Sequence, residues 1–193
     1  MTRSIRIGLA GLSIVLVMAC GTDSSPTTSD TSPRPLRQFD GQGVAFDYPA
    51  AWSAAQFDVL SSFSGSIVYL STAPLADPCD RGPNLIACVR EAASALGPDG
   101  LLVEWSWHGF PGWTFDPTKG RRIDVGGRRA TVEEGAASDS CAAIGGEREL
   151  LVTIDDPLVD QNWTEVRACL RGPDLAASLS QIDAMLRTVR WRS

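Results

Sequence analysis

The chain has 193 residues, 23 acidic and 17 basic, a net charge of −6, and a hydrophobic content of 44%. That balance excludes a nucleic-acid binder held by charge, because no basic stripe offsets repulsion from the phosphates. The length suits one domain with a single core.

Arg3 and Arg6 precede an uncharged, mostly apolar run from Ile7 to Ala19, which ends on a small residue directly before Cys20. A charged start, an apolar run and a small-residue cleavage position make residues 1–19 a signal peptide. The run is too short for a comfortable membrane span. Val17-Met18-Ala19-Cys20 resembles the lipobox of bacterial lipoproteins. The resemblance implies that Cys20 is acylated and becomes the first mature residue, anchoring the chain in the cell membrane on its extracytoplasmic face. The leader takes two arginines and no acid with it, leaving 15 basic residues against 23 acidic and a net charge of −8. A domain this acidic would not lie on an anionic membrane by charge; the lipid would have to hold it.

Residues 20–38 are rich in Ser, Thr, Pro and Asp without apolar periodicity, and are expected to be a flexible tether. The globular domain is expected over 39–193. Val44, Phe46 and Tyr48 alternate along a first strand that stops at Pro49. Phe57–Leu60 reads as a short strand and Ser66–Leu70 as a clearer one. Residues 74–100 look like an insertion. Pro83 can open a helix on which Leu85, Ile86, Val89, Ala93 and Leu96 recur at helical spacing, before Gly97-Pro98 stops it.

Leu101–His108 is the strongest strand, with Val103, Trp105 and Trp107 on one face and Glu104, Ser106 and His108 on the other. Gly126-Gly127 marks a hairpin between 121–125 and 129–132. Residues 148–155 and 163–170 alternate as two more strands. A terminal helix should start at Pro173-Asp174, carry Leu175, Leu179, Ile182, Leu186 and Val189 as one stripe, and end near Arg187. A short closing strand follows over 188–191.

With Cys20 set aside, four exported cysteines read as two disulfides with three possible connectivities. Cys79–Cys88 and Cys141–Cys169 are favoured, the first as a staple of the insertion and the second lying off the main core face. Zinc is disfavoured: the spacing is not CxxC, and His108 is the sole histidine. No metal or cofactor is expected.

Three stretches resemble the PsbP-like lipoproteins, which share a fold with the PsbP and Mog proteins and with the LpqN lipoproteins. They are Phe46-Asp47-Tyr48-Pro49-Ala50-Ala51-Trp52, Val125-Gly126-Gly127-Arg128-Arg129-Ala130 and Ala184-Met185-Leu186-Arg187-Thr188-Val189-Arg190. The resemblance implies an α+β fold, an antiparallel sheet packed by helices in an α/β/α sandwich, here with a disulfide-stapled helical insertion. It also implies a binding or assembly role.

An enzyme is not expected. There is no Gly-x-Ser-x-Gly, and the neighbours of His108 in sequence supply no nucleophile. Glu133-Glu134 would point to opposite faces of a strand, and Asp155-Asp156-Pro157 looks like a turn without enough oxygen ligands for calcium. The aromatic set holds the functional promise: Trp107, His108, Phe110 and Trp113 are the candidate binding patch. The expectation is a non-enzymatic, lipid-anchored module that binds an envelope protein or component, with no nucleic-acid partner. The alternative is a carrier of a lipid or other apolar ligand.

Overall fold

A computed structural model describes residues 35–81, 86–88, 90–155 and 162–192. The leader, Cys20 and nearly all of the expected tether lie outside the described residues. So do Leu85 and Val89 of the expected helix, and Asp156-Pro157.

The chain opens with a hairpin, β1 (Leu36–Gly41) against β2 (Val44–Pro49). Its two-residue turn, Gln42-Gly43, has φ of 49° and 83°, the doubly left-handed geometry that matches the twist of paired strands. β1 thus begins inside the stretch expected as tether. β3 (Ser53–Ala55) and β4 (Ser64–Ser71) follow. Residues 57–60 form no strand and make only one bridge, Leu60 to Gly65.

The expected helix over the insertion is replaced by a hairpin. β5 (Cys79–Arg81) pairs antiparallel with β6 (Ile86–Cys88). Cys79 and Cys88 are direct ladder partners, with Cα atoms 3.9 Å apart and their sulfurs paired. That fixes an extended pair where a helix had been expected to carry Cys88.

β7 (Leu101–His108), β8 (Arg121–Val125) and β9 (Arg128–Ala136) come next. The β8–β9 turn is Gly126-Gly127, with φ of 61° and 84°. The loop around Cys141 holds a short helix, α1 (Asp139–Ala143), capped by the Ser138 hydroxyl, which accepts from the Cys141 N–H. β10 (Arg148–Asp155) and β11 (Trp163–Leu170) precede α2 (Leu175–Leu186), and β12 (Arg190–Trp191) closes the chain. Asp174 is the N-cap of α2, its carboxylate accepting from the Ala177 N–H. Pro173 therefore lies one residue outside the helix rather than at its first position.

The strands form a seven-stranded sheet in the order β3-β4-β7-β11-β10-β9-β8 and a three-stranded sheet in the order β1-β2-β12, with β5-β6 apart; all pairings are antiparallel. The architecture corrects the α+β expectation. Strands hold 47% and helices 12% of the described residues, and β1-β2-β12 takes much of the place an α/β/α sandwich gives to helices. The reason is local. Alternation dominates most of the chain, and α2, with twelve residues, is the only helix longer than five among those described.

The main core lies between the large sheet and the layer of β1, β2, β12 and α2. Val103, Trp105, Val152 and Val166 on one side meet Phe46, Tyr48, Ile182 and Met185 on the other. Phe46 stacks on Trp105 at 4.7 Å, joining the two sheets. The opposite face of the large sheet carries a smaller core: Tyr69, Leu102 and Cys169 under Ala92, Ala93, Leu96, Cys141 and Ile144. Cys141 pairs with Cys169 there, at a Cα separation of 5.5 Å. The alternation of β11 placed Cys169 on that side. The coil of residues 90–100 in the insertion thus covers part of this second face.

Candidate binding surface

The end of the second face beyond this cover, around His108, is where the functional side chains gather. Register sets a row across it: Ser64 faces His108, His108 faces Trp163, and Trp163 faces Asp155. Odd residues of β11 point the same way as even residues of β7, so Trp163 and His108 stand side by side and their rings stack at 4.6 Å and 7°.

Trp113 reaches the same ring from a loop. Phe110-Pro111-Gly112-Trp113 is a turn closed by the Trp113 N–H donating to the Phe110 carbonyl, with Gly112 at φ 77°. Proline then glycine at the central positions is the composition of a type II turn. The turn lays Trp113 on Trp163 at 4.1 Å. Parallel rings pack about 3.5 Å apart. On one face of Trp163, the Trp113 and His108 ring centroids would then lie within about 5 Å of each other, closer than two coplanar rings can sit side by side. They therefore occupy opposite faces, and Trp163 is sandwiched.

Phe110 lies 6.2 Å from Trp163 and stacks on Phe63 at 4.9 Å. The Gly109 N–H donates to the Phe63 carbonyl, which ties the two loops together. Phe63 is 42% exposed and Phe110 47%, and the neighbouring Leu60 is also exposed. The surface is therefore an exposed apolar ridge, Phe63–Phe110, on a base of three stacked rings.

Of the expected patch, the structure brings His108, Phe110 and Trp113 together. Trp107 does not join them: it packs against the main core on the other face of β7, with Gly65 directly above its indole. Trp163 and Phe63 belong to the surface and were missed. Trp163 looked like an ordinary strand start, and only the β7–β11 register shows that it meets His108.

Beside the stack, Ser106 Oγ lies 3.1 Å from His108 Nε2, and the Glu165 carboxylate lies 4.0 Å from that same nitrogen. A hydrolytic relay needs the acid on one imidazole nitrogen and the hydroxyl on the other. Here both groups address Nε2. Burial holds His108 below its ordinary pKa, so it is neutral at pH 7.

Glu165 is pushed above the usual carboxylate range, chiefly by burial; the Trp163 indole N–H opposes the shift and the charge of Glu104 adds to it. A carboxyl raised on folding costs no stability below its unfolded pKa and destabilises increasingly as pH rises through its folded value. Glu165→Gln should therefore raise the thermal midpoint at pH 7, with the gain shrinking to nothing at acidic pH. A gain that is constant with pH would show that the Glu165 charge is not the cause.

Among the described residues no group of three His, Cys, Asp or Glu side chains is placed to hold a metal ion, and no helix is long and apolar enough to cross a membrane. Comparison with models of protein families finds none that matches the chain, and comparison with curated proteins finds no match.

Proposed function

We propose that this chain is a non-enzymatic lipoprotein, anchored by acyl groups on Cys20 at the extracytoplasmic face of the cell membrane. Its folded domain binds an envelope protein or other envelope component through the Phe63–Phe110 ridge. The observation that carries the reading is the exposed Phe63–Phe110 pair, held on the Trp113–Trp163–His108 stack. Large aromatic rings already fixed in place lose little rotamer freedom on binding, which is the property of interface anchors. The misaligned Ser106, His108 and Glu165 favour binding over hydrolysis.

The test has two arms. Intact mass of the protein from its native host should show acylated Cys20 and no residues 1–19. A photo-crosslinker at Leu60, exposed beside the ridge, should in living cells give discrete adducts that vanish when Phe63→Ser/Phe110→Ser is added. That variant should unfold within about 0.5 kcal/mol of the parent, as exposed substitutions do. An unmodified chain keeping its leader would overturn the anchor, and adducts unchanged by the double substitution would overturn the ridge.

A further inference from the structure

The core face of the large sheet is not fully covered. α2 lies over it, but β8 is one of its two edges, and between the two runs an open groove of about 430 Å³. Ile123, Val132 and Leu150 form its floor, and Leu179, Ile182 and Leu186 its wall. A second cavity of about 180 Å³ shares Leu179 and Glu134 with it and continues past Leu175. From Leu186 to Leu175 the wall is eleven helical steps, about 16 Å. The volume lies within the range of small-ligand sites, about 300–1,000 Å³.

Three charged residues line the main groove: Arg121, Glu134 and Asp183. Asp183 is already paired with Arg187 at 2.8 Å. Arg121 stands on the edge strand, in line with Val132, and its side chain makes no hydrogen bond or ion pair among the described residues.

We propose that this groove binds one straight acyl chain carrying an anionic head, a fatty acid from the surroundings, with the carboxylate at Arg121. A trough with an apolar floor and wall that runs along a helix face fits a linear hydrocarbon better than a ring system. The unpaired guanidinium at its mouth selects the sign of the head. The site is distinct from the aromatic ridge and does not depend on it.

The experiment is calorimetric titration of the full chain, with Cys20→Ser to remove its own lipid. The probes are octanoate, decanoate and laurate below their micelle concentrations. Binding should saturate at one ligand per chain and tighten about three- to fourfold for each added methylene. Leu179→Trp, which fills the trough, should abolish it, and Ile123→Phe serves if that variant does not fold. Arg121→Gln should weaken laurate about tenfold and leave dodecyl maltoside unchanged. Phe63→Ser/Phe110→Ser should bind laurate like the parent, so failure of the ridge and failure of the groove are read separately. No saturable binding, affinity independent of chain length, or binding that survives both filling substitutions overturns the site. Laurate binding unchanged by Arg121→Gln overturns the assignment of the head.

Discussion

Replacing Arg167 by alanine should lower the stability of the fold by about 3 kcal/mol, the scale for stripping a buried charge of its partner. Arg167 sits on the second face and holds two acids. Its guanidinium makes a bidentate pair with Glu91 at 2.8 and 2.7 Å, and one nitrogen also donates to Glu104 at 3.0 Å. The Tyr69 hydroxyl donates to the other oxygen of Glu104 at 2.8 Å. Glu91 is 6% exposed, so without Arg167 its carboxylate would have little water to turn to.

The pH dependence identifies the mechanism. Burial works to raise the pKa of Glu91, but the hydrogen bonds from Arg167 and Ser140 outweigh it and hold the carboxyl below its ordinary range. The parent therefore has this stabilisation above the unfolded pKa of glutamate and loses it as pH falls through the folded value. In Arg167→Ala the sign reverses, because an unpaired buried carboxylate gains from protonation. Urea unfolding at pH 7 and pH 4.5 should show the deficit shrinking on acidification, and adding Glu91→Gln should recover part of it at pH 7. A deficit that does not change with pH would mean that lost packing, not lost charge pairing, is the cause.

Removing the bond between Cys141 and Cys169 should cost about 3–4 kcal/mol, the chain-entropy value for a loop of their 28-residue separation. The shorter Cys79–Cys88 loop, of separation 9, should cost about 2–3 kcal/mol. The pairs also differ in access. Cys141 and Cys169 are buried, whereas Cys88 is exposed. Under a graded reductant, peptide mapping should find Cys79–Cys88 opening first, with the unfolding midpoint falling in two steps, the larger one second. Opening in the opposite order would mean that the second face is less well covered than its packed residues indicate.

Legibility followed the strength of alternation. Residues 101–108, 148–155 and 163–170 showed it plainly, and each strand's inward and outward faces stand as their parity required. β1 was missed because only Phe39 of its six residues is buried, which leaves no period to detect. The signal available was the Gln42-Gly43 turn directly before Val44. The insertion misled for the opposite reason. Apolar residues at spacings of three and four are a helical signature, but Ala93 and Leu96 are buried as coil against the sheet. A surface that must be covered collects apolar residues whatever the backbone does. The binding surface was half legible. Parity already separated Trp107 from His108, and grouping them by nearness in sequence overrode it. Trp163 lies 55 positions from His108 and could be added only once pairing was known.

The small sheet sets the order in which this molecule can finish folding. β2 has β1 on one side and the last strand, β12, on the other. Ala45 pairs with Arg190, the Asp47 N–H donates to the Thr188 hydroxyl, and Arg192 binds Gly43 through its backbone and Asp40 through its side chain. A chain emerging from its N-terminal end therefore presents the Phe46 strand some 145 residues before its closing neighbour exists. Such long-range closures are slow, and until they happen the apolar strand is exposed. The small sheet thus stays open on this side of β2 until Arg190 has emerged.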